Sequence, residues 1–322
     1  MSTASPFTRR YYPVAALCPL DQRPPVSDAE SPHTVLALGG GGMKGMAHVG
    51  AIRALQAAGI AIDAVVGTSI GALIGARFAM GSPLSELEAE ALAVTESAVL
   101  RRNVRAFLLG GVAQTGLYDG EHYRRLVGRV LAAGSFASLK IPLRVNALSL
   151  CKGEERWFGW GADRSLNLVD AVYASGALPL IFPPLETADG DILVDGGLRT
   201  MVGVADAVRW GAERVIAVDV SDLFDPEEAG WRRMGLAGIH GRVVQVLSEA
   251  QREAIRGVRA VPVLHIRPDV QDISAFTFSA TPRLLEAGEA AARSALVSAE
   301  AVAFRAAVPT RHPRVRRAPR SA

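Results

Sequence analysis

Ser69 stands in Gly67-Thr68-Ser69-Ile70-Gly71, between a short apolar run and a helical pattern. A serine on a sharp strand-to-helix turn is pushed out above the sheet, and flanking glycines avoid the clashes such a turn forces on a Cβ. The start of the following helix favours negative charge developing nearby. An inert serine in a tight turn fits the same five residues. A hydroxyl attacks a carbonyl poorly unless a base takes its proton. Val194-Asp195-Gly196-Gly197 offers a carboxylate at the end of a short strand. Alone, an Asp-Gly-Gly is only a turn; beside a serine nucleophile it becomes a candidate base.

A second glycine cluster, Gly40-Gly41-Gly42-Met43-Lys44-Gly45, also lies between a strand and a helix. Bare glycines let backbone N–H groups point at a ligand oxygen where a helix dipole adds to them. That geometry serves either a dinucleotide pyrophosphate or the oxyanion of acyl transfer. A dinucleotide site needs an acid about 20 residues further on, at the end of the second strand. Gly67-Thr68-Ser69 occupies that place, and the nearby acid, Asp63, precedes the apolar part of the strand. The oxyanion reading therefore prevails, with adjacent parallel strands bringing both loops to one sheet edge. Lys44 either supports the glycine loop or is a solvated charge at the helix start.

A histidine triad is the competing arrangement. Ser69, Asp195 and then His240 or His265 follow the chain order of an α/β-hydrolase. His265 alternates like a strand residue within Val261–Arg267, whereas Gly238-Ile239-His240-Gly241 reads as a loop. His48, on the first helix, is better suited to a satisfied or partly exposed histidine than to a base. A third reading, from a different class, is a lipid- or anion-binding module that keeps the glycine loop without turnover.

Taken in order, the three motifs resemble the patatin-like phospholipase family over roughly residues 34–221. The likeness is carried by Gly40–Gly45, by Gly67–Gly71 around Ser69 and by Asp195-Gly196-Gly197, with agreeing flanks at Leu36–Val49, Val65–Ala76 and Ala174–Pro184. It implies a Ser–Asp dyad, with Ser69 as nucleophile and Asp195 as its base. It further implies an oxyanion hole from the amides of Gly40, Gly41 and Gly42, and motif support from Lys44, Gly45, Gly67, Gly71, Gly196 and Gly197. The implied substrate is a fatty-acyl ester of a phospholipid or lysophospholipid, cleaved through an acyl-enzyme without cofactor or metal. The family commonly follows Asp-Gly-Gly with an Asn- and Pro-containing segment, whereas Leu198-Arg199-Thr200-Met201-Val202 stands here. Arg199 in that segment could pair with Asp195 and weaken it as a base.

The elements that must position these groups are legible in outline. Thr34–Leu38 and Ile62–Val66 read as buried strands. Met46, Val49, Ile52 and Leu55 recur at helical spacing, and Ile70–Met80 reads as the next helix. Ser82-Pro83 predicts a helix start, Asp119 a cap for a helix through Leu131, and Lys152-Gly153 the turn of a hairpin between Leu143–Cys151 and Glu154–Gly159. A short helix follows over Ser165–Ser175. Strands follow at Ile192–Val194, Val215–Val220 and Val261–Ile266, and helices at 241–257 and 282–304. Alternating strands and helices predict a three-layer α/β/α sandwich around a mainly parallel sheet.

The chain has 322 residues, 49% hydrophobic and 21% charged, which excludes a fibrous or wholly disordered chain. Two cysteines and six scattered histidines offer neither a disulfide framework nor a metal-ligand pattern. The net charge of +3 becomes −3 once the six arginines after Glu300 are set aside, so the body gives nucleic-acid binding no electrostatic support. The composition predicts a leader over 1–33, one acyl hydrolase domain over 34–304 and a disordered basic tail over 305–322. The leader lacks a signal-like apolar run, which predicts a cytoplasmic protein, peripheral at the inner membrane surface. The tail's arginines would add attraction to anionic lipid. Residues 96–117, where Phe107 and Leu108 interleave with arginines, read as an amphipathic lid. The expected partner is a lipid ester.

Overall fold

The computed structural model describes residues 32–102, 115–132, 134–221, 230–256, 258 and 260–307. Most of the leader, most of the tail and the core of the expected lid, including Phe107 and Leu108, lie outside the described residues.

An eight-stranded sheet forms the middle layer. Its strands are β1 (Thr34–Leu38), β2 (Ala64–Gly67), β3 (Leu143–Ser149), β4 (Glu154–Gly159), β5 (Leu185–Glu186), β6 (Ile192–Asp195), β7 (Arg214–Val218) and β8 (Val263–Ile266). Their order is β5-β6-β3-β2-β1-β7-β8, with β4 also paired to β3. From β3 to β8 neighbouring strands are parallel, whereas β4, β5 and β6 run antiparallel to their neighbours. Side chains along β1 and β2 enter two separate cores. Leu36, Leu38 and Val65 join the larger one, and Val35, Ala37, Ala64 and Val66 join the smaller one around Trp210. Period-2 alternation with both faces apolar is what a sheet covered on both sides requires, and the result is a three-layer α/β/α sandwich.

The helices are α1 (Ala47–Ala57), α2 (Ile70–Ala79), α3 (Leu84–Ala93), α4 (Glu96–Val99), α5 (Gly120–Val130), α6 (Leu168–Ser175), α7 (Val204–Arg209), α8 (Gly235–Arg256), α9 (Thr281–Leu296) and α10 (Ala299–Ala306). Asp119 caps α5 as expected, accepting from the His122 N–H at 3.0 Å. The hairpin at Lys152-Gly153 also forms. Pro83 is itself the cap of α3 rather than its first helical residue. The helix expected over 282–304 is two, broken where the Ser298 hydroxyl donates to the Ala295 carbonyl at 2.7 Å, a side-chain bond that competes with the helical ladder. Gly238-Ile239-His240-Gly241, expected as a loop, lies inside α8, whose glycines include Gly235, Gly238 and Gly241. Packing of its inner face outweighs their weak helix propensity.

One feature of the sheet positions the site. Strand β3 is longer than β2, so β2 pairs only with its first residues, Gly67 lying opposite Val145. Since β4 covers the other edge of β3, β6 pairs along the edge β2 has vacated, with Asp195 opposite Ala147. β2 and β6 thus run toward each other along one edge of β3. Their C-terminal ends stop two residues apart on that strand, roughly 7 Å. Ser69 follows the end of β2, and Asp195 is the end of β6.

Helix α1, which leads directly away from the glycine loop, is held against α9 without room for a single extra carbon. A Cβ on Gly288 would lie 1.9 Å from the Ala47 carbonyl oxygen, and one on Gly50 would lie 1.9 Å from that of Leu285. Gly288→Ala is therefore expected to push the two helices apart and to cost about 1–3 kcal/mol, read as a lowered midpoint in thermal or urea unfolding.

Candidate active site

Ser69 occupies the junction of β2 and α2 with φ 53° and ψ −123°. A non-glycine residue in this region costs on the order of 1–3 kcal/mol, which the surroundings must offset. They do so with specific bonds. The Ser69 N–H donates to Ser175 Oγ at 2.8 Å, the Thr68 N–H to the Leu38 carbonyl at 3.0 Å, and Thr68 Oγ1 to the Thr200 carbonyl at 3.1 Å. The turn leaves no room at its glycines. A Cβ at Gly67 would lie 2.6 Å from Ala72 Cα, and one at Gly71 would lie 2.3 Å from the Leu38 carbonyl oxygen.

The Ser69 hydroxyl donates to Asp195 Oδ2 at 2.8 Å. The other carboxylate oxygen, Oδ1, accepts the Gly197 N–H at 2.7 Å. Asp195 is buried, with only 5% of its surface exposed. Burial pushes its carboxyl up to about 6, and the bonds from Ser69 and Gly197 restrain the rise. Arg199, which could have paired with Asp195, does not. Arg199 is exposed at the end of the 3₁₀ turn Gly196–Leu198, and both Asp195 oxygens are engaged elsewhere.

That turn is braced from two sides. Gln251 of α8 donates through Nε2 to the carbonyls of Gly197 and Leu198 at 3.1 and 3.3 Å, and accepts the Met201 N–H through Oε1 at 2.5 Å. Asn146 of β3 donates to Glu155 Oε1 at 3.0 Å and to the Thr200 carbonyl at 3.1 Å, and it accepts from Ser175 Oγ at 3.4 Å. Gly196 lies against the Asn146 amide, 2.3 Å from where a Cβ would stand. Burial raises the Glu155 carboxyl, partly countered by the bond from Asn146. Ser175, Asn146 and Gln251 did not stand out as site residues in the sequence. Two carried a local signal: Asn146 is a polar residue inside an apolar strand, and Ser175 ends an apolar helix just before a glycine.

The glycine loop reaches the same place. A Cβ on Gly40 would lie 3.3 Å from Ser69 Cβ. The Gly40 N–H, however, donates to the Met201 carbonyl at 3.1 Å, so the expectation of three oxyanion donors is reduced: this amide is engaged in the fold. Gly41 and Gly42 have no amide acceptor among the described residues. Gly42, at φ +58° with its Cβ position 2.5 Å from the Ala275 carbonyl oxygen, admits no side chain. Beneath the loop, His48 is fully buried and held well below the usual imidazole range, to about 4, chiefly by desolvation. It is therefore neutral and donates Nε2–H to the Gly39 carbonyl at 2.8 Å. Lys44 is 1% exposed, which overturns the reading of it as a solvated charge. Gly45 packs on Ile70, the first residue of α2, with 2.3 Å to Ile70 Cγ2 from a Cβ there.

The histidines expected to compete as bases are elsewhere in the hydrogen-bond pattern. His240 lies within α8 rather than in a loop, and its buried Nε2 has no partner among the described residues. His265 lies on β8, as its alternation predicts. Among the described residues no group of three or more His, Cys, Asp or Glu could hold a metal ion. None of the described helices is long and apolar enough to cross a membrane.

The profile of the patatin-like phospholipase family matches residues 36–208, more than half of the sequence. The chain belongs to the patatin-like phospholipase family. An uncharacterised NTE family protein of Mycobacterium tuberculosis is 32% identical over 196 residues, covering 61% of this chain and 51% of that protein. A lysophospholipase of Emericella nidulans is 29% identical over 197 residues, covering 61% of this chain and 12% of that protein. The chain thus spans about half or less of the length of these relatives. Among solved structures, VipD from Legionella pneumophila aligns with a TM-score of 0.46 at 15% identity, over 83% of this chain and 67% of that one.

The buried carboxyl has a consequence for stability. Its proton is held more tightly in the folded chain, near 6, than at the ordinary value of 3.8. The stabilisation from protonation is complete below that ordinary value and is lost as pH rises through about 6. At pH 8 the ionised carboxylate should cost the fold about 3 kcal/mol, at roughly 1.4 kcal/mol per pKa unit. Asp195→Asn is expected to raise the unfolding midpoint at pH 8 and to leave it nearly unchanged at pH 4, as measured by denaturant titration at both pH values.

Proposed function

We propose that the chain is a serine acyl hydrolase that cleaves fatty-acyl esters of phospholipids or lysophospholipids through a Ser69–Asp195 dyad. The observation that carries this reading is the direct 2.8 Å bond from Ser69 Oγ to a buried carboxylate, with no imidazole between them. Membership of the patatin-like phospholipase family and a lysophospholipase among the relatives support a lipid ester as substrate.

The chemistry proceeds in two balanced steps. Ser69 Oγ attacks the acyl carbon as its proton passes to Asp195 Oδ2, a better proton acceptor than an ordinary carboxylate because it is desolvated. The amides of Gly41 and Gly42, at the start of α1's leading turn, stabilise the oxyanion. The tetrahedral intermediate collapses to an acyl-serine as Asp195 returns the proton to the departing alcohol oxygen. Water then attacks the acyl-serine, losing its proton to Asp195, and the fatty acid leaves as Ser69 recovers its hydrogen. Loss of one oxyanion donor typically costs about 10²–10³ in rate.

Ser69→Ala and Asp195→Asn should each abolish p-nitrophenyl ester turnover, whereas His240→Ala should leave it near wild type. A fluorophosphonate probe should label Ser69 in the wild-type chain. Absence of labelling would favour a binding module, and loss of turnover in His240→Ala would favour a histidine triad. Because Asp195 must be ionised to accept the proton, kcat/KM should rise with pH through about 6 and then level.

A further inference from the structure

We infer that α8 and the turn preceding it form a docking face for an anionic lipid surface, an inference that rests on the lipid-ester reading above. Leu236, Ile239, Val243, Val246 and Leu247 are all exposed, Leu236 by 76%. At helical spacing they fall within one arc of about 100°. The helix buries another side, where Ser248 and Arg252 lie among Val244 and Ile255. An apolar row of this length facing water is the kind of surface a second phase or partner covers.

The charges beside the row choose between occupants. From Gly230 to Leu247 the chain carries Arg232, Arg233 and Arg242 and no acid; acids stop at Glu228 and resume at Glu249. Arg232 lies over the Trp231 ring at 5.4 Å from its centroid, at the start of the apolar row. An amphipathic helix with an apolar stripe, basic flanks and an interfacial tryptophan fits the boundary between lipid headgroups and acyl chains. Each arginine near an anionic surface adds attraction that salt weakens. The same helix reaches the chemistry. One turn beyond Leu247, Gln251 holds the carbonyls of Gly197 and Leu198, the residues that follow Asp195.

The test is co-sedimentation of the full chain with phosphatidylcholine vesicles with and without phosphatidylglycerol. The wild-type chain should pellet with the anionic vesicles. The Ile239→Asp/Val243→Asp pair should lower the bound fraction about tenfold or more, while its turnover of the soluble ester p-nitrophenyl butyrate, which also reports folding, stays unchanged. Arg232→Glu/Arg233→Glu should weaken binding to anionic vesicles, and added salt should do the same to the wild type. The proposal is overturned if the wild type stays in the supernatant, or if the aspartate pair binds as well as wild type. It is also overturned if analytical ultracentrifugation shows a wild-type dimer that this pair splits, since a second copy then covers the stripe. A chain that pellets but cleaves no ester would instead sink the hydrolase reading and leave the docking face standing.

Discussion

Withdrawing Asp195 from water costs free energy, and that cost raises the carboxylate's affinity for a proton. In solvent an aspartate holds a proton too weakly to assist a serine hydroxyl. Here desolvation raises its affinity for a proton, and among the described residues two donors, the Ser69 hydroxyl and the Gly197 amide, compensate the charge. A nearby arginine would stabilise the charge better and cancel the effect. The fold instead leaves Arg199 exposed and meets the carboxylate with neutral groups. In the proposed mechanism the hydroxyl that supports the charge is the one that loses its proton, so the interaction that tolerates the burial would also be the reacting one.

The rest of the architecture can be understood as holding that contact in place. The meeting of β2 and β6 along one edge of β3 sets the approach of the two chain ends. Ser175 takes up the Ser69 amide, and Asn146 links Ser175 to the segment after Asp195 through the Thr200 carbonyl. The unfavourable backbone of Ser69 and the buried charge of Asp195 are therefore stabilised by one shared network rather than by independent contacts. Met201 belongs to it as well, since its carbonyl receives the Gly40 amide and its own amide is held by Gln251. Serine, carboxylate and glycine loop are coupled through the backbone of residues 196–201.

The turn after Asp195 also links the interior to the surface. Where the family's usual Asn- and Pro-containing segment is missing, Leu198–Val202 is held by a side chain from α8, and α8 carries an exposed apolar row beside its buried face. A single helix thus serves the carboxylate's loop on one side and the outer surface on another. Gln251 supplies, from a distant helix, hydrogen-bond partners for the backbone that follows Asp195.

Sequence alone was sufficient for what depends on neighbouring residues. The strand–turn–helix pattern around Gly40–Gly45 and Gly67–Gly71, the β3–β4 hairpin, the cap at Asp119 and the layered α/β class all follow from periodicity and from backbone needs that short stretches express. Ser69 and Asp195 stood out as candidates from their own turns, while their pairing was implied by the family resemblance. What tertiary structure alone decided is every property that depends on what lies across space. Those properties are the burial of Lys44 and His48, the engagement of Gly40 by Met201, the helical setting of His240 and the support from Ser175, Asn146 and Gln251. These depend on burial and hydrogen-bond partners from distant segments, 161 residues apart for Gly40 and Met201. The proton affinity of Asp195 belongs with them: a carboxylate's chemistry is set by the water it has lost, and a linear sequence does not say which groups will replace that water.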